Sequence, residues 1–188
     1  MGKVFWKSGA LIAPLPPIMV SCGSFEKPNI ITIAWTGIIN SSPPKTYISV
    51  RPERFSYDII KESKEFIINL VNKDLIKSAD LCGVKSGRDI DKFEVCGLQK
   101  QECSKVKSPM IGQSPLGLEC RVSDVIKLGS HDMFICDIEA VNVQKDLIDE
   151  SGRMCIEKAD LCAFLHGEYF TLGEKIGKLG YTVQKKKK

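Results

Sequence analysis

Short apolar runs rich in β-branched side chains, broken by polar and turn residues, fill the first third of the chain. "PIMVSCGS", "NIITIAWTGIIN" and "TYISVR" each read as a strand bounded by Gly, Pro, Asn or Ser. The connections "FEKPN" and "NSSPPK" are short, which favours antiparallel neighbours over βαβ units. Ser56 is placed to cap a helix over "YDIIKES", with Asp58 near the positive end of its dipole. The stretch "EFIINLVN" follows as another strand. Asn72 and Asp74 then open a second helix, "KDLIKSADLCG", in which Leu75, Ile76, Ala79 and Cys82 recur at helical spacing and Gly83 suits a left-handed stop.

From 84 to 114 the pattern is polar and punctuated, leaving room for one short helix, and "QKQECSKVKSPMIGQSP" reads as exposed connection. Two long strand patterns, "LGLECRVSDVIKL" and "HDMFICDIEAVNVQK", flank Gly129 and Ser130 as a hairpin. The segment "DLCAFLHGEYFTLGEKIGKLGYTV" suggests one short helix or turn. Six or more strands with two short helices are best buried as a closed or nearly closed antiparallel barrel, the helices plugging an end or flank. The fold class expected is therefore mainly β, a β-barrel with a few short helices, in one domain over residues 1–184.

Charge removes several partners. Of 27 basic residues, four form the tail Lys185 to Lys188, expected to be disordered; the remaining 23 are matched by 23 acidic residues. No basic face is implied, and an aromatic content of 7% also speaks against a barrel that stacks nucleic-acid bases. Lys3 and Lys7 ahead of "ALIAPLPPIMVSC" imitate a signal peptide, but Pro14, Pro16 and Pro17 break the run, which is too short to span a membrane. The eight cysteines contain no C-x-x-C pair. That spacing argues against a zinc ribbon or a thioredoxin-like dithiol, so no metal is expected and the thiols read as reduced, in a cytoplasmic protein.

The candidate chemistry begins in "ISVRPERFSYDII". A helix N-terminus carries free backbone N–H groups and partial positive charge, so it favours phosphate. Ser56 can add a hydroxyl donor there, and Arg51 and Arg54 add charged donors shaped for phosphate oxygens. The alternative is an ordinary capped helix beside surface arginines. Upstream, Asn29 and Thr32 are polar within an apolar strand that ends at Trp35; such an edge can hydrogen-bond a planar heterocycle while neighbours cover its face.

"KPNIITIAWTGIINSSPPKTYISVRPERFSYDIIKESKEFIINLV", then "VKSGRDIDKF", then "LGSHDMFICDIEAV" resemble the flavin reductase-like family of FMN-binding split β-barrels, and within it the flavoredoxins, from about Ile12 to Tyr181. The resemblance implies a Greek-key FMN-binding split barrel that forms a homodimer, with one FMN per subunit near the dimer interface. It places flavin contacts on Asn29, Thr32, Ala34 and Trp35, on Ser49, Val50, Arg51 and Ser56, to which the helix-mouth reading adds Arg54, and on the covering loop Ser86, Gly87, Arg88, Asp89 and Lys92. Arg88 or Lys92 is a candidate to stabilise the reduced flavin from its pyrimidine edge. In NAD(P)H-using relatives a glycine, an acidic residue and a histidine seat the nicotinamide; here the triplet is Gly129, Ser130 and His131, without the acid, and Asp132 follows.

The function this implies is an FMN-binding oxidoreductase passing electrons from NAD(P)H to flavin, ferric iron or a redox partner. One alternative is an FMN electron carrier reduced by a protein partner. Another is a cofactor-less barrel acting as a binding module.

Overall fold

The structure, a computed structural model, describes residues 1–183, and the lysine tail lies outside them. Its strands are β1 (Ile18–Gly23), β2 (Pro28–Ile33), β3 (Thr36–Ser41), β4 (Pro44–Val50), β5 (Glu65–Leu70), β6 (Lys100–Gln101), β7 (Met110–Ile111), β8 (Leu116–Lys127), β9 (Asp132–Val143), β10 (Cys162–Leu165) and β11 (Glu168–Thr171). The α-helices are α1 (Phe55–Ser63), α2 (Ile76–Val84) and α3 (Lys92–Val95). Seven strands form one antiparallel sheet in the order β2-β1-β5-β8-β9-β4-β3.

Connectivity makes this sheet curl. Its edge strands β2 and β3 would stand about 29 Å apart in a flat sheet, at about 4.8 Å per strand. Yet only Ala34 and Trp35 separate the end of β2 from the start of β3, a path of at most about 11 Å. The two edges are therefore brought together without pairing, and the barrel is split along that seam. The expected single strand "NIITIAWTGIIN" is thus two strands. Hydrophobicity does not drop at the break, because Ala34 and Trp35 cross from one edge to the other along a cavity wall, which hides the boundary from a pattern of apolar positions.

Alternation along the strands builds the barrel interior. Ile18, Val20 and Cys22 of β1 point inward with Ile48, Phe66, Ile68, Cys120, Phe134 and Cys136, and Tyr57 and Ile60 of α1 plug the end. Met19 and Ile30 face the other way, against Leu75, Ala79, Cys82, Phe93 and Leu98 of the helical layer. β1 and β5 are buried on both faces, which is why they read as unbroken apolar runs. Truncating a ring buried as Phe66 is costs about 3–5 kcal/mol in comparable cores.

Four local expectations need correcting. Ser56 is not the cap of α1: the Arg51–Arg54 turn, closed by Arg54 N–H donating to the Arg51 carbonyl at 3.1 Å, starts the helix earlier, with Arg54 at the cap position and no side chain capping it. Gly83 does not stop α2, which runs through it to Val84; a Cβ there would sit 3.3 Å from Thr32 Cβ, so the glycine lets α2 approach β2. The connection from 99 to 115 is not exposed throughout, since Val106, Ser108, Met110 and Ile111 are buried. Glu119 lies fully buried and accepts N–H bonds from Ser104, Lys105 and Val106 and a bond from Asn142; burial pushes its carboxyl up, but these donors overcome that and hold it below the usual range. Finally, the C-terminal segment holds the expected short helix, a 3-10 turn over Tyr181–Val183, but also the unexpected hairpin β10–β11, turned by His166 and Gly167, both at positive φ.

Candidate functional site

Two cavities lie along the split. The larger, about 400 Å³, is walled by Thr32, Ala34 and Trp35 where β2 passes to β3, by Ser49, Val50 and Arg51 at the end of β4, and by His131 at the start of β9. The smaller, about 130 Å³, sits at the mouth of α1 against Asn29, Ser56, Ser86, Gly87, Arg88 and Lys92. Arg54, Ile31, Gly83 and Val84 line both, so the two join into one elongated site. Of the residues expected here, Asp89 alone lines neither cavity; its N–H closes a turn on the Ser86 carbonyl at 3.2 Å.

Each wall has a local cause. The Trp35 carbonyl accepts from Ser49 N–H at 3.0 Å, which extends the β3–β4 ladder to the rim. The Thr32 hydroxyl donates to the Ala79 carbonyl, so it ties β2 to α2 rather than projecting a free donor. Trp35 and His131 pack ring to ring, centroids 4.5 Å apart at 39°. Ser130 Oγ lies 3.0 Å from His131 Nδ1. Asp132 does not replace the acidic residue missing before the histidine: it is turned inward, and Tyr57 O–H donates to it at 2.5 Å. That bond, with burial, pushes the Tyr57 phenol up to about 12.

The smaller cavity gathers positive charge, with Arg54, Lys85, Arg88 and Lys92 on its wall against the single acid Glu53. Ser56 is 1% exposed and accepts from Asn29 Nδ2 at 2.7 Å. Tyr57 N–H closes on the Arg54 carbonyl at 2.9 Å, and because α1 has no side-chain cap, the N–H groups of Phe55 and Ser56 are left for whatever fills the cavity. Lys92 is buried, yet its ammonium donates only to the carbonyls of Ile30 at 2.7 Å and Cys82 at 2.8 Å. Among the described residues it has no carboxylate partner. A buried cation is costly unless an opposite charge reaches it; burial accordingly pulls the Lys92 ammonium below its usual value. Arg88 stacks over Phe55 at 5.3 Å and reaches the Glu53 carbonyl at 3.4 Å. Arg88 and Lys92 line only the smaller cavity, whereas the charged groups on the larger one are Arg51, Arg54 and Asp80.

Gly87 closes this end. A Cβ there would stand 2.0 Å from Asn29 Oδ1 and 2.9 Å from Phe55, so only glycine lets the covering loop approach. A phosphate-bearing planar group fits the site: the free helix mouth and unpaired ammonium suit the phosphate, and the larger cavity suits the planar part.

Sequence reasoning missed the far wall. Phe164, Gly167 and Tyr169 of the β10–β11 hairpin face the larger cavity, with Tyr169 O–H donating to Asp80 at 3.3 Å. The signal was present in "CAFLHGEYF", a His-Gly pair between alternating segments.

The profile of the flavin reductase like domain matches residues 12–173. Flavoredoxin of Desulfovibrio vulgaris (Miyazaki F) superposes with a TM-score of 0.90 at 29% identity, covering 97% of this chain and 100% of that one. An uncharacterised protein of Archaeoglobus fulgidus is 32% identical over 125 residues, 66% of this chain and 70% of its own. The FMN reductase (NADH) RutF of Escherichia coli O6:K15:H31 is 20% identical over 104 residues, 55% of this chain and 61% of its own.

Proposed function

The chain belongs to the flavin reductase-like family, a flavin-related oxidoreductase by that membership, and from this premise we propose that it binds one FMN per subunit along the joined cavities. The observation that carries the reading is the buried Lys92 ammonium, without a carboxylate partner among the described residues, on the same cavity as an uncapped helix mouth. Bound FMN would supply the two-electron redox chemistry. Lys92, Arg88, Ser56 and the first N–H groups of α1 would hold the phosphate. The strand from Thr32 to Trp35 and the end of β4 would orient the ring system, and the β10–β11 hairpin would shield it from water.

His131 and Trp35 at the rim would seat a nicotinamide from NADH or NADPH. Burial first, then Arg51, holds His131 below its ordinary 6.5, so it is neutral across the neutral range. The rate of flavin bleaching by NADH is expected to be flat from about pH 6.5 to about pH 8.5 and to change only on the acid side. His131→Gln should remove that acid limb; an unchanged limb in the variant would assign it to another group.

A second reading, an FMN carrier reduced by a protein partner, is favoured by one observation: Asp132 is committed to Tyr57 and cannot supply the missing acid. The assembly we propose is a homodimer. Its support is the exposed apolar side chains Phe5, Trp6, Ile176 and Leu179 on the extended terminal segments. No helix among the described residues is long and apolar enough to cross a membrane.

The deciding measurement is the visible spectrum of the purified protein, its mass by light scattering, and the response to anaerobic NADH and NADPH. A yellow dimer that bleaches supports the reductase. A yellow protein that stays oxidised until a protein donor is supplied supports the carrier. A colourless protein that refuses added FMN would leave a barrel without a cofactor.

A further inference from the structure

We propose that Tyr57 is a positioning residue for the rim of the larger cavity: its bond to Asp132 fixes, from inside the barrel, where His131 and Trp35 meet a nicotinamide. The catalytic consequence rests on the rim reading given above.

Tyr57 stands on the first turn of α1 and is 6% exposed. Its side chain grips β9 at two successive inward positions. The hydroxyl donates to Asp132 Oδ2 at 2.5 Å, and the ring meets Phe134 edge to face, centroids 5.3 Å apart at 73°. Asp132 is 4% exposed, and among the described residues no cation pairs with it and no other side chain bonds it. A buried carboxylate is costly without a donor, so this bond decides where the carboxylate rests.

His131 needs such a tie because it sits one residue outside the ladder. β8 ends at Lys127 and β9 begins at Asp132. The turn between them bends through Gly129 at φ +99 and is closed by Leu128 N–H donating to the His131 carbonyl at 3.1 Å. Leu128, Gly129 and Ser130 are exposed, so packing holds little of this turn. Alternation turns Asp132 inward and His131 outward onto the cavity wall. The same rung sets the other ring: Asp132 pairs with Val50 of β4, and beside it Ser49 N–H donates to the Trp35 carbonyl at 3.0 Å. One side-chain bond thus steadies both members of the Trp35–His131 pair.

Tyr57 and Asp132 line neither cavity, so they act through the rim and not on a ligand. Loss of the hydroxyl should loosen the rim and leave the smaller cavity in place. Releasing one such bond is expected to raise KM for NADH about three- to tenfold, with kcat and FMN affinity unchanged.

The test compares Tyr57→Phe, which keeps the ring on Phe134 and removes only the hydroxyl, with Asp132→Asn, which keeps an acceptor for it, and Asp132→Leu, which does not. Val106→Ala, in the separate cluster with Ile67 and Met110, controls for lost stability alone. All carry Trp6→Phe, so that Trp35 is the one tryptophan left. In the flavin-free proteins Trp35 fluorescence reports the ring pair. It should shift to longer wavelength and open to acrylamide quenching in Tyr57→Phe and Asp132→Leu, and stay unchanged in Asp132→Asn and Val106→Ala. With FMN bound, KM for NADH should divide the variants in the same way, and the Tyr57→Phe/Asp132→Leu double variant should show no more than the larger single effect. An unaltered Trp35 signal in Tyr57→Phe, or the same change in Val106→Ala, would overturn the proposal, as would FMN affinity falling in step with the rise in KM. A protein that binds no FMN, or that NADH does not reduce, counts against the cofactor or reductase reading instead, and the Trp35 signal alone then judges the positioning role.

Discussion

Lys92→Met is expected to erase the protein's preference for FMN over riboflavin while leaving a folded, less stable barrel. Two effects separate cleanly. In the folded protein the ammonium satisfies two buried carbonyls, Ile30 and Cys82, and leaving each without a donor costs about 1–3 kcal/mol. Toward a bound phosphate the same ammonium is a charged donor, and a charge-assisted hydrogen bond of this kind contributes about 1.5–3 kcal/mol, or roughly 10- to 150-fold in affinity. Titration of FMN and riboflavin by fluorescence, with thermal melts alongside, distinguishes them. FMN affinity should fall by that factor and riboflavin affinity should barely move; equal losses for both ligands would assign Lys92 a structural role only.

The same residue carries a pH signature. Its folded-state pKa lies below 10.5 because burial disfavours the charged form. Between that depressed value and 10.5 the unfolded chain binds more protons, so the Lys92 contribution to the stability of the flavin-free protein rises with pH through this window. The wild type should therefore gain stability relative to Lys92→Met as pH climbs toward 10.5, and a bound dianion should reduce that gain by restoring the charged form.

The barrel was legible because its cause is written locally. Period-two alternation in "HDMFICDIEA" and unbroken apolar runs in "IMVSCG" and "FIINL" follow from strands covered on one or both faces. Most of the site was legible only with the family resemblance added. Asn29, Ser56, Gly87 and Lys92 converge on one cavity from four elements or loops, and no local pattern relates position 29 to position 87. The third dimension also decided roles that residue type could not. Thr32 and Ser56 are both hydroxyls near the site, but one donates to Ala79 in α2 and the other accepts from Asn29 at the helix mouth. Residue type alone offers Lys92 to a flavin's pyrimidine edge; in the structure it lines the smaller cavity at the mouth of α1, with its ammonium on the Ile30 and Cys82 carbonyls.

The second large effect is expected from Gly87→Val. Asn29 cannot yield to a side chain there, since it is 4% exposed on β2 and its amide is held by Ser56 Oγ at 2.7 Å. The half-buried Phe55 ring, 2.9 Å from the same Cβ position, would have to turn as well, and it carries the Arg88 guanidinium stacked on it at 5.3 Å. The Cβ position, 2.0 Å from Asn29 Oδ1, must retreat by more than an ångström to reach ordinary contact, so the loop from Lys85 to Arg88 lifts from the helix mouth and takes Arg88 with it. Overpacking of this kind costs about 1–3 kcal/mol in stability. Misplacing the charged donors should weaken FMN binding by about 100-fold, equivalent to about 2.7 kcal/mol. Gly152→Asn is the matched control: Gly152 also sits in a turn, at φ +81, but nothing stands within 4 Å of its Cβ position, and asparagine tolerates that backbone. The control should bind FMN as the wild type does. If Gly87→Val binds FMN as tightly as Gly152→Asn, the covering loop is no part of the cradle, and the anion would have to be held by α1 and Lys92 alone.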